Sequence, residues 1–302
     1  MLRLFVVLFG LLVLIPPVHG DSVDRNLAFG EAFMEREEWF RAGTEFMKAA
    51  MAATGPTAQS AWVRAGDAHL HARQWERAVT LYSEAGVHPG PLANLARFRM
   101  GQSYYLADQF TLAETILSQL DDTEEDTALA IEANVYRTLG ALEQRRFDNA
   151  GQLYMRLAEM VDDEAKQERL VELARATQTR DELPTRSALG AALLSAILPG
   201  AGQAYTGAWH EAGLAITVNA VFGLLIWDSV LKAQTWQSLD DSRGFAYTTT
   251  ALYGFIGSSF YFGNIYGAAA SAHKYNRRQV DQLQSELKDE TFRLRLLELD
   301  LN

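Results

Sequence analysis

Two hydrophobic patterns divide the chain. From about residue 25 to 162, apolar residues recur at helical spacing within a longer period; beyond Pro184 they form nearly unbroken runs. In the first region an aromatic residue is followed three positions later by alanine four times: Trp39/Ala42, Trp75/Ala78, Phe110/Ala113 and Phe147/Ala150. Successive aromatics stand 36, 35 and 37 residues apart. Four positions past each alanine is a large apolar residue: Phe46, Tyr82, Leu117 and Tyr154. Nine positions before the aromatic is Gly30, Gly66, Gly101 or, in the fourth unit, Thr138; seven before it is Ala32, Ala68, Ser103 or Gly140. The i, i+3, i+7 spacing puts aromatic, alanine and large apolar residue on one helix face, and the preceding small residues mark where another helix approaches. One such hairpin cannot bury its own face, so the pattern predicts stacked pairs with a concave groove.

The second pattern has three runs: 187 to 198, 212 to 233 and 244 to 272. The second is long enough to cross a bilayer core of about 30 Å; the third could cross at a tilt; the first ends at Pro199. Gly263, Gly267 and Ser271, and likewise Ala188, Ala192 and Ala196, follow the small-xxx-small spacing of packed membrane helices. Trp209, Trp227, Trp236 and Tyr247 stand near span ends, as interfacial aromatics do. Asn219 and Asp228 interrupt the second run; Asn219 is expected to bond a neighbouring helix through Asn264, and Asp228 to reach the headgroup zone. Two or three spans fit. Three would put the cluster Lys274, Arg277, Arg278 in the cytoplasm, in keeping with the positive-inside rule, and three are favoured.

The N-terminus, with Arg3, an apolar stretch from Leu4 to Ile15 and Gly20, has the layout of a cleavable export signal. The domains expected are a signal peptide (1–20), a repeat domain (21–162), a capping helix or linker (163–186) ending near Pro184, a membrane part (187–278) and an amphipathic tail (279–302). In the tail, Val280, Leu283, Leu287, Leu294, Leu297 and Leu301 fall on heptad positions, while 291 to 296 also alternates with period two; a helix is favoured.

The repeat resembles the tetratricopeptide repeat, a helix hairpin of about 34 residues. It departs from that family in lacking the early Trp outside unit two, where Trp62 stands, and a unit-ending Pro in most units. The resemblance implies protein or peptide binding along the groove, with Glu31, Asp67, Gln102 and Tyr105 facing it; the two acids would suit a basic partner. The stretch from Leu193 to Gly213 around Pro199, Gly200, Gly202, Gln203 and Tyr205, with residues 261 to 278, resembles the small two-transmembrane-helix domains of bacteria and related membrane families. That likeness implies a location and an architecture, with no activity attached. The fold class expected is therefore all-α: a repeat solenoid followed by a small helical transmembrane domain.

Charge and chemistry narrow the function further. The net charge is −11, and nearly all of it lies before residue 187; such a surface repels phosphate backbones, so no nucleic acid is expected. There is no cysteine, hence neither disulfides nor a lipoprotein anchor. No metalloprotease, nucleophile-elbow or phosphate-loop motif is present, and the glycine-rich turn at 199 to 207 has no following Lys-Ser/Thr. His69 and His71, at i, i+2, point to different sides of a helix. No catalytic residue, cofactor or metal is expected. The sequence predicts an adaptor in the bacterial inner membrane with periplasmic repeats, or alternatively part of a transport complex with Asn219, Asp228 and Asn264 as polar lining.

Overall fold

A computed structural model describes residues 19–87, 91–120, 127–235, 240–294 and 296. The expected signal peptide lies almost wholly outside these residues, as do Leu297 and Leu301 of the tail. The fold is all-α, with no strand among the described residues. The chain divides into two compact units, one made of Met1–Arg175 with Glu290–Asn302, the other of Ala176–Asp289.

The first unit holds α1 (His19–Met34), α2 (Trp39–Ala52), α3 (Gly55–His71), α4 (Trp75–Ala85), α5 (Pro91–Leu106), α6 (Phe110–Leu117), α7 (Thr127–Glu143), α8 (Phe147–Met160) and most of α9 (Glu164–Gln178). Each helix from α1 to α7 packs against its successor, and α5 also touches α3 and α7. The odd-numbered helix of each pair ends in the same way. Glu37, Arg73, Asp108 and Arg145 have φ of 59°, 57°, 58° and 55°, the left-handed region, two residues before each repeat aromatic. The residue after each donates its N–H five residues back, as Glu38 to Phe33, Gln74 to His69, Gln109 to Tyr104 and Arg146 to Ala141. The left-handed residues themselves donate three back, to Met34, Leu70, Tyr105 and Leu142. This is the Schellman closure, usually built on glycine and here built four times on charged residues.

The glycine nine positions before the aromatic proves to be a slot for the large apolar residue sixteen positions later. A Cβ on Gly30 would stand 2.5 Å from the Phe46 ring, and one on Gly101 2.5 Å from Leu117; Gly66 lies as close against the Tyr82 ring. The four alanines of the repeat and Phe46, Tyr82, Leu117 and Tyr154 are all buried. In unit four the slot residue is Thr138, whose hydroxyl is satisfied by Asn134 O at 2.8 Å.

Glu290, Thr291 and Leu296 close the far end of this unit. Thr291 meets Tyr154 at 2.5 Å between hydroxyl oxygens, Arg169 pairs with Glu290 at 2.7 Å, and Leu296 is buried. Burial pushes the Tyr154 phenol up to about 12, with Thr291 opposing the shift.

The second unit contains α10 (Ala188–Ile197), α11 (Ala201–Tyr205), α12 (Trp209–Thr235) and α13 (Asp240–Arg293) as far as Asp289. The tail therefore continues the third hydrophobic run as one 54-residue helix to Arg293, helical as favoured up to that point, with Leu294 in a turn beyond it. α10 lies on α13 through Ala191, Ala268 and Ala272, and α12 lies on α13 through the stacked rings of Phe222 and Phe260 and a Thr250–Ser229 hydrogen bond of 2.9 Å. Among the described residues one helix, α12, is long and apolar enough to cross a membrane. α13 is long enough, but Gly, Ser, Thr, Tyr and Asn dilute its apolar run.

Glu37→Gly should stabilise the first unit by up to about 1 kcal/mol, and Glu37→Val should destabilise it by a similar amount, because only the former relieves the left-handed backbone. Gly66→Ala should cost about 1–3 kcal/mol, since its methyl meets the Tyr82 ring. Denaturant unfolding of the detergent-solubilised chain measures all three.

Candidate functional site

Three of the four groove residues expected in the first unit, Glu31, Asp67 and Gln102, tie one odd-numbered helix to the next. Glu31 of α1 pairs with Arg64 of α3. Asp67 of α3 lies 3.6 Å from Arg99 Nε of α5, and Gln102 Nε2 of α5 donates to the Tyr136 hydroxyl of α7 at 2.7 Å. Each tie has the same register: it joins the residue after one unit's slot to the residue two before the next unit's slot. Arg99 Nη1 donates to Gln102 Oε1 at 2.9 Å and so joins the second tie to the third, and Tyr82 OH donates to Asp67 Oδ1 at 2.7 Å. Burial pushes the Asp67 carboxyl up, against the pull of Arg99 and of the Tyr82 hydroxyl. Burial also lifts the Tyr82 phenol well above its ordinary value, which keeps it a donor.

The two acids expected along the groove are matched within the chain. Glu31 is exposed, but it and Asp67 each already face an arginine of the same chain. Gln102 is fully buried. Tyr105 is half-buried, its ring edge-on to Phe110 at 5.5 Å and to Tyr136 at 5.3 Å. The signal that would have identified the ties is the arginine two residues before the slot glycine in units two and three, at Arg64 and Arg99.

The two histidines diverge as expected. His71 stacks on Trp39 at 4.8 Å, while the His69 ring bonds Gln74 at 2.6 Å and is held below its usual basicity by burial. No cluster of three or more metal-ligating side chains occurs among the described residues.

In the second unit, the glycine-rich turn builds a buried polar node. Pro199 follows the end of α10, and Gly200 takes φ of 90°, where a Cβ would stand 2.5 Å from Ala212 O. A Cβ on Gly202 would strike the Ala191 carbonyl, so α11 lies directly against α10. Its N–H donates to Ser195 Oγ at 3.0 Å, and Ser195 donates to Gln203 Oε1 at 2.8 Å. Gln203 Nε2 then donates to Asn264 Oδ1 at 2.7 Å and Asn264 O at 2.9 Å. Asn264 Nδ2 is buried and has no partner. Gln203 thus bonds the Ser195 side chain of α10 and both the side chain and the backbone carbonyl of Asn264 on α13. At the same end, Asn276 exchanges two hydrogen bonds with the Arg186 backbone, at 2.7 and 3.0 Å.

The expectations for Asn219 and for Gly263 with Gly267 are corrected. Asn219 donates to Ala215 O of its own helix at 2.8 Å, leaving Asn264 to Gln203. Asp228 is exposed and pairs with Lys232 at 2.7 Å, one turn along. Gly263 and Gly267 are not the tight helix contact: Gly263 borders open space and Gly267 is 3.6 Å from Gln203 Nε2, because Gln203 occupies the notch while Ala268 and Ala272 make the close approach to α10.

Between α11, α12 and α13 lies a cleft of about 460 Å³. Leu214, Val218, Phe255 and Phe260 form its apolar walls; Gln203, Asn219 and Asn264 supply polar atoms, and Glu211 its one carboxylate.

Compared with known protein families, with curated proteins and with solved structures, the chain matches none.

Gln203→Leu should destabilise the second unit by about 1–3 kcal/mol, because Ser195 and Asn264 lose their partner in a buried site. Asn219→Leu should change it by less than about 0.5 kcal/mol. Unfolding of the chain in mixed micelles distinguishes the two.

Proposed function

We propose that the protein is a membrane-anchored interaction scaffold whose repeats, of the tetratricopeptide type, bind a protein or peptide partner, and which carries out no catalysis. The observation that carries this reading is the recurring register of the first unit: the Schellman turn four times, and the glycine slot and the helix-to-helix tie three times each, at the repeat spacing. Serial stacking of such pairs is the arrangement that gives solenoids an extended binding surface. The anchoring part is supported by α12, at 27 residues or about 40 Å of helix. Leu214, Ile216, Val221, Leu224 and Trp227 are exposed along it, a surface that suits lipid and would be unfavourable in water.

The contacts support two crossings rather than three. α10 enters beside α13, α11 turns back, and Arg186 before α10 is bonded to Asn276 beyond the span of α13, so both belong to one end of the second unit. From there α12 leads away and α13 returns. Residues 290 to 296 of the same returning chain then belong to the repeat unit. The proposed location is the bacterial inner membrane, with repeats and C-terminal segment together in the periplasm.

Two experiments test this. A photo-crosslinking residue in place of Glu31 or Tyr105 should trap a discrete protein adduct in cells, whereas one at Thr80 on α4 should not; absence of adducts at the first two sites would reject the scaffold. Because the chain has no cysteine, single cysteines at Ser83, Thr235 and Ser285 can be labelled with a membrane-impermeant maleimide. Positions 83 and 285 should react from one side and 235 from the other; opposite labelling of 83 and 285 would restore three spans.

A further inference from the structure

The geometry points to the cleft of the second unit as a binding site for one membrane phospholipid with an ammonium headgroup, its ester carbonyl held by Asn264. The inference rests on the membrane reading of α12. The volume of about 460 Å³ falls in the range of small-molecule sites, and its walls are predominantly apolar side chains on two helix stripes. An acyl chain suits those walls.

The polar atoms select the rest of the ligand. Asn264 is over nine-tenths buried and lines the cleft; its Oδ1 accepts from Gln203, while its Nδ2 hydrogens have no acceptor. A buried unpaired amide is costly, more so beside lipid, where no water replaces the bond. A lipid ester carbonyl is an acceptor only, and supplies what the amide needs. A spanning helix would offer less, since its backbone carbonyls are already bonded within itself. The α12 stripe from Glu211 to Asn219 also runs for only about 12 Å, against about 30 Å for a crossing partner.

Charge then distinguishes among lipids. Glu211 is the one ionisable side chain lining the cleft, exposed in the first turn of α12 beside Trp209 and His210. Its carboxylate attracts an ammonium and repels an anionic headgroup. The chosen occupant is therefore phosphatidylethanolamine rather than phosphatidylglycerol.

The test uses the full chain in nanodiscs with the two lipids in equal amounts, transferred to mild detergent and weighed by native mass spectrometry. One phosphatidylethanolamine should remain per chain, about tenfold over phosphatidylglycerol. Gly263→Leu, whose side chain grows into the open cleft, should reduce retention about tenfold. Gly213→Leu, which also has free space but lies outside the cleft, should retain the lipid. Glu211→Gln should keep a lipid and lose the headgroup preference. An inserted chain without lipid, equal effects of the two glycine variants, or a dimer that Gly263→Leu dissociates would each overturn the proposal. A chain that does not enter nanodiscs would instead overturn the membrane reading beneath it.

Discussion

The first unit depends on one close approach: a large side chain from the second helix of each pair seated where the first helix has no side chain. Gly30, Gly66 and Gly101 let Phe46, Tyr82 and Leu117 reach the backbone opposite, which fixes how near and at what height the two helices meet. Once that height is set, the turn between them has little freedom. It must reverse the chain within a few residues, and it does so through a left-handed residue although Glu37, Arg73 and Arg145 have no intrinsic preference for it, and only Asp108 is of a type enriched there. The slot thus sustains a strain of about 1–2 kcal/mol per turn. The fourth unit shows the limit of the device, since Thr138 sits in the slot only with its hydroxyl turned onto its own helix.

The same register determines what the odd-numbered helices offer outward. With every first helix at one height relative to its second, neighbouring first helices bring equivalent positions together, and the side chains there bond one another. Glu31–Arg64, Asp67–Arg99 and Gln102–Tyr136 are one contact made in three chemistries. Net acidity of the sequence consequently says little about the charge a partner would meet along that row, because the acids are matched locally.

The repeat was legible in the sequence because its positions are small or large for steric reasons, and sterics leave composition marks. Spacing alone assigned the glycines to helix approach, but which residue fills each slot, sixteen positions on, required the structure. The left-handed turns left no mark, for charged residues carry no sign of positive φ. In the second unit, composition located Pro199, Gly200, Gly202, Gln203 and Asn264 as a distinctive group. Their wiring was not legible: a glutamine has donors and acceptors for many partners, and only the fold says that Ser195 and Asn264 are the ones reached. Asp228 and Asn219 look exceptional in a hydrophobic run, yet each is satisfied by a neighbour four residues away on the same helix.

Two signals of sidedness pull against each other in the proposed arrangement. Two crossings put Lys274, Arg277 and Arg278 on the same side as the repeats, while the connection between α12 and α13 has only Lys232 and Arg243 nearby. By charge alone the richer side would face the cytoplasm. In that proposed arrangement an export signal would act before either span is made, and a long domain crosses largely regardless of its charges, so the repeats would follow the signal. The basic cluster is then carried outward by the chain to which it is joined. Arg186 shares its end of the unit, with its guanidinium over the rings of Tyr205 at 4.8 Å and Tyr275 at 5.4 Å. A cation held against two aromatic faces is less free to act as a retention signal than a hydrated lysine, because part of its charge is already engaged.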